Sequence, residues 1–80
     1  MATELGVDKE LNLRGEVCPY TFVKSKLALE VMQPGQVLRV IVDNDESAGN
    51  VPRSMQNEGH DVLGVQKLTE KDWQIVVRKA

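Results

Sequence analysis

The run Gln36 to Val42 constrains this chain most, because it is strand-length and almost continuously apolar. Such a run fits a strand covered on at least one face and paired on both edges. The rest of the chain must then supply strands on either side and a layer above. With 80 residues there is one domain, and a domain this small buries a modest fraction of its surface, so an economical two-layer fold is expected.

The flanking segments read accordingly. Leu11 and Leu13 alternate with polar neighbours, which predicts a first strand near 9–14, broken by Arg14-Gly15-Glu16. Over 19–32 the apolar positions Val23, Leu27, Ala28 and Val31 recur at helical spacing while Lys24, Lys26 and Glu30 occupy the other face, so an amphipathic helix with those four apolar residues toward the core is expected. Pro19 suits the first helical position, and Pro34-Gly35 supplies the stop. A second helix is expected between Asp43 and Glu58, with Asp45 as its N-cap and Gly49 and Pro52 delaying or kinking it. Gly59 suits the left-handed residue after that helix. Val62 to Val65 and Trp73 to Val77 predict two more strands, joined through the polar 67–72 segment.

The order is βαβαββ. Crossovers between parallel strands are nearly always right-handed, so both helices should cover one face of a four-stranded mixed sheet, giving an α/β (α+β) two-layer sandwich. Residues 1–8 read as a flexible lead-in and 9–80 as the single domain. Val37, Ile41 and Val76 are candidates for a bare sheet face where two chains could meet, so a monomer or weak dimer is expected.

Composition narrows the function. Ten basic and twelve acidic side chains leave a net charge of -2, with no electrostatic footprint for nucleic acid or an anionic membrane. No apolar stretch approaches the ~18 residues of a membrane span. Glu4, Asp8 and Glu10 stand where a secretory signal would carry basic and then apolar residues, so a cytoplasmic location is expected. One cysteine cannot form an internal disulfide. With one histidine besides, the chain cannot close a four-ligand zinc site, and neither metal nor cofactor is expected.

The cysteine carries the chemistry. Cys18 follows the carboxyl end of the first strand and precedes the first helix, the edge where open α/β sheets place ligands. At a helix N-cap, free amides and the helix dipole bring a thiol pKa down from ~8.5 to between ~3.5 and ~7.5. A free cysteine is also commonly a small buried hydrophobe, and position alone leaves both readings open.

The ordered set Leu11-Asn-Leu-Arg-Gly-Glu-Val-Cys-Pro19, Met32-Gln-Pro-Gly-Gln36, Asp43, Val51-Pro52 and Glu58-Gly-His-Asp61 resembles the TusA/SirA-like (YedF-like) sulfur-transfer family over about residues 9 to 79. The resemblance implies the same βαβαββ fold and a sulfur carrier that takes up sulfane sulfur as a persulfide on Cys18. It further implies donor and acceptor proteins as partners, in tRNA thiolation, cofactor sulfuration, sulfur oxidation or selenium metabolism. The alternative is a regulatory or RNA-binding module with an inert Cys18.

Pro19, Tyr20 and Thr21 would form the helix opening that supports the thiolate. The family pattern Cys-Pro-x-Pro is here Cys18-Pro19-Tyr20-Thr21. Thr21 restores an N–H at the third helical position and adds a hydroxyl, so it is expected to keep or strengthen thiolate support and to alter the docking surface. Arg14, Glu16, Lys24, Asp43 and Asp45 are candidates for partner docking, the two aspartates with capping or turn roles rather than catalytic ones. His60 falls at the opposite sheet edge, where it reads as a turn or strand-start residue. Met32 and Met55 read as core fillers, and Trp73 as packing on the sheet.

Overall fold

A computed structural model describes residues 7–17 and 20–80. The elements run β1 (Lys9–Asn12), α1 (Tyr20–Glu30), β2 (Val37–Val42), α2 (Asp45–Asn57), β3 (Asp61–Lys67) and β4 (Trp73–Arg78). This is the expected βαβαββ order. The four strands form one mixed sheet in the order β1-β2-β4-β3, with β1 parallel to β2 and the other neighbours antiparallel.

The apolar run behaves as its composition requires: β2 is paired on both edges, and Leu38, Val40 and Val42 are fully buried. They alternate with Val37, Arg39 and Ile41, which lie on the face away from the helices. Across the β2–β4 ladder Val77 and Ile75 continue the helix-side layer. Leu13, Leu29, Met32, Val51 and Met55 complete the core, with Trp73 packed against it, as expected for the two methionines and the indole. On the opposite face Ile41 is itself buried and Val37 and Val76 are half-buried, while on β3 Leu63 and Val65 are exposed. Gln74, opposite Ile41, is also buried and donates to Gln66 Oε1 at 2.8 Å.

β1 ends at Asn12, two residues short of expectation, although Leu13 N–H still donates to the Ile41 carbonyl at 2.8 Å. Of the expected lead-in, Val7 and Asp8 are described; Asp8 N–H donates to the Val37 carbonyl and its Oδ2 accepts from Val37 N–H, both at 2.9 Å.

α2 is capped by Asn44, not Asp45: Asn44 Oδ1 accepts from Ser47 N–H at 2.8 Å in extended backbone, and Asp45 opens the helix proper. Such a cap contributes ~1 kcal/mol. It also lets the helix start at once, and Gly49 and Pro52 lie within a continuous run where delay or a kink was expected. Burial of Ser47, Val51 and Met55 at i, i+4 and i+8 outweighs the hydrogen bond that Pro52 cannot donate. At the far end Gly59 takes φ 95°, and His60 N–H bonds back to the Met55 carbonyl, which is a Schellman ending as the sequence indicated. α1 stops before Gln33-Pro34-Gly35-Gln36, a turn closed by a 3.0 Å bond with Gly35 at φ 89°. The Leu29 carbonyl accepts from Lys79 Nζ at 2.6 Å and from Met32 N–H at 3.1 Å, so the helix end is held from both sides.

The expectation for the orientation of α1 holds for Ala28 and fails for Val23, Leu27 and Val31. Its buried residues are Thr21, Ser25, Ala28 and Leu29, while Val23, Leu27 and Val31 are exposed. The inward hydroxyls are satisfied: Ser25 Oγ donates to the Thr21 carbonyl at 2.8 Å, and Thr21 Oγ1 meets Ser47 Oγ on α2 at 2.9 Å. Small side chains let the helix settle close to the sheet and to α2, and paired hydroxyls can be buried at little cost.

Candidate functional site at the carboxyl edge of the sheet

Cys18 and Pro19 lie outside the described residues, so the site is built from what surrounds that junction in the chain. The approach from β1 is a short, firmly held turn. Gly15 adopts φ 87°, and its N–H donates to Asp43 Oδ2 at 2.8 Å. A β-carbon is strained at that φ, which accounts for the glycine. Glu16 N–H returns to the Leu13 carbonyl at 3.0 Å, and the Glu16 carbonyl accepts from Asn44 Nδ2 at 3.1 Å. Asn44 thus performs two tasks with one amide: its oxygen caps α2 and its nitrogen holds the turn that follows β1. Sequence reading missed it by preferring Asp45; an Asn with Ser three residues on was the available signal.

Charged side chains complete the clamp. Arg14 Nε pairs with Asp72 Oδ2 at 3.1 Å, tying the turn to the loop between β3 and β4. Lys24 Nζ meets Glu16 Oε2 at 2.8 Å, tying it to α1. The carboxyl ends of β1 and β2, the start of both helices and the 68–72 loop therefore gather at one edge, as the topology predicts. Of the nominated docking residues, Arg14, Glu16, Lys24 and Asp43 are engaged within this clamp, and Asp45 sits exposed in the first turn of α2. Exposed ion pairs of this kind contribute little stability, so their value is to fix the turn's shape.

On the helix side, the Val17 carbonyl accepts from Tyr20 N–H at 2.8 Å and from Thr21 N–H at 3.3 Å. The Thr21 N–H thus closes the opening turn of the helix onto the Val17 carbonyl. Its side chain is fully buried between the helices, so Thr21 cannot alter a docking surface as the sequence suggested. The residues bracketing the Cys18-Pro19 pair face outward, Val17 at 57% and Tyr20 at 59% exposure. His60 stands at the other end of the sheet, where Nδ1 accepts from Ala80 N–H at 3.1 Å.

A two-layer βαβαββ sandwich with a pinned turn leading from β1 toward α1 defines the class of small α/β proteins with which comparison can be made. The family model described as sulfurtransferase TusA matches residues 9–79, and the chain belongs to that family. A relative from Archaeoglobus fulgidus is 47% identical over 76 residues, 95% of this chain and 86% of the other. A second, from Thermotoga maritima, is 38% identical over 72 residues, covering 90% and 91%. Each bears the name "Putative sulfur carrier protein". The crystal structure of a SirA-like protein from Desulfitobacterium hafniense superposes with a TM-score of 0.78 at 25% identity, covering 88% of this chain and 95% of that one. Among the described residues no helix is long and apolar enough to cross a membrane.

Proposed function

We propose that the protein carries sulfane sulfur as a persulfide on Cys18, receiving it from one protein and passing it to another. Membership of the TusA family is the observation that carries this reading. The clamped 14–17 turn supports it, since a carrier must present its sulfur from a fixed and accessible place.

The chemistry balances without an oxidant. The Cys18 thiolate attacks the terminal sulfur of a donor persulfide; the new S–S bond forms at Cys18 as the donor's breaks, and the donor leaves as a thiolate. Delivery is the same exchange with an acceptor nucleophile, returning Cys18 to its thiolate. The dipole of α1 favours negative charge at its opening, while Asp43, Glu16 and Asp72 oppose it; Arg14 and Lys24, paired with two of these, offset that repulsion. No base within the chain is required.

The test is an intact-mass measurement after incubation with a persulfide donor and alkylation. The wild type should gain the mass of sulfur and Cys18→Ser should not. A wild type that takes up none, or a variant that takes up as much, would overturn the proposal.

A further inference from the structure

The outer face of α1 presents Tyr20, Val23 and Leu27, continued by Val31 just past its end, at 59%, 42%, 56% and 77% exposure. At spacings of three and four residues they form one continuous stripe, of the kind that is normally buried. The stripe is symmetric about Leu27. Val23 lies four residues before it and Val31 four after, each about 40° to one side.

Its flanking charges are symmetric in a complementary sense. Glu30 is exposed and makes no ion pair with a described residue, and Lys26 reaches Glu58 only at 3.8 Å. Lys26 and Glu30 lie on the same flank of the stripe, one before Leu27 and three after. When a second α1 is laid antiparallel about a two-fold axis at Leu27, heights along the helix reverse. Glu30 of the second copy then stands on the flank of Lys26, about 3 Å from it along the axis.

We infer that a second copy of this chain covers the stripe, with Leu27 against Leu27, Val23 against Val31, and Lys26 paired with Glu30 across the interface twice. The dimer forms through α1 rather than through the sheet, and it requires no sulfur chemistry, so it stands or falls apart from the carrier reading.

Sedimentation equilibrium on the full chain tests it. The wild type should show a monomer–dimer equilibrium, and Leu27→Glu should be monomeric with an unchanged far-UV spectrum, since Leu27 supports nothing in the core. Lys26→Glu and Glu30→Lys should each weaken the dimer roughly tenfold or more by setting like charges together. The Lys26→Glu/Glu30→Lys double variant should recover it. A wild type monomeric up to ~1 mM, or a double variant no better than the singles, would overturn the inference. If a monomeric wild type instead lost sulfur uptake from a donor protein on Leu27→Glu, the stripe would belong to that partner and the dimer would be refuted.

Discussion

Helices α1 and α2 lie side by side on the same face of one sheet, yet they are built on opposite plans. α2 buries Ser47, Val51 and Met55 and turns Asp45, Glu46, Arg53 and Gln56 outward, as an amphipathic surface helix does. α1 buries Thr21, Ser25 and Ala28 with Leu29, and turns Tyr20, Val23, Leu27 and Val31 outward. The difference separates two demands on a small domain. α2 is shaped by folding, whereas the outer stripe of α1 contributes little to folding and begins beside the Cys18 junction.

The largest effects should follow from the buried contacts of α2. Met55→Ala should cost ~2–5 kcal/mol in chemical denaturation, whereas Leu27→Ala on α1 should stay within ~0.5 kcal/mol. Equal losses at the two positions would break the contrast. Thr21→Val should cost ~1–3 kcal/mol, because it removes the α1 hydroxyl that meets Ser47 in the buried interface. No loss there would mean that the inward hydroxyls do not hold the helices together. Asn44→Ala should cost ~1 kcal/mol through the lost cap and should also slow sulfur uptake at Cys18, since the Glu16 carbonyl loses its holder. A variant equally destabilised but undiminished in uptake would confine Asn44 to capping. Smallest of all, Arg14→Gln should shift stability by no more than ~0.5 kcal/mol, with any effect on sulfur uptake fading as salt is raised.

The same contrast explains how much of the molecule was legible. The β2 run, the Gly59 ending of α2 and the βαβαββ element order followed from local rules that tertiary packing did not override. α1 was misread because both of its faces satisfy a helical period; Thr21 and Ser25 look like surface residues until their hydroxyls are seen bonded to Ser47 and to the Thr21 carbonyl. Asn44 was missed because its second task, holding Glu16, depends on a contact 28 residues distant in the chain. The clamp from Asp43, Asn44 and Asp72 likewise joins segments that no spacing rule connects. Cys18 was singled out by its place in the chain between a strand pattern and a helix pattern, and it lies outside the described residues.

What remains is whether sulfur at the mouth of α1 is held as an anion. The alkylation rate of Cys18 followed against pH would show this directly. A rate already at its plateau well below the ~8.5 of an unperturbed thiol is the result expected; a profile superimposable on that of free cysteine would contradict the account.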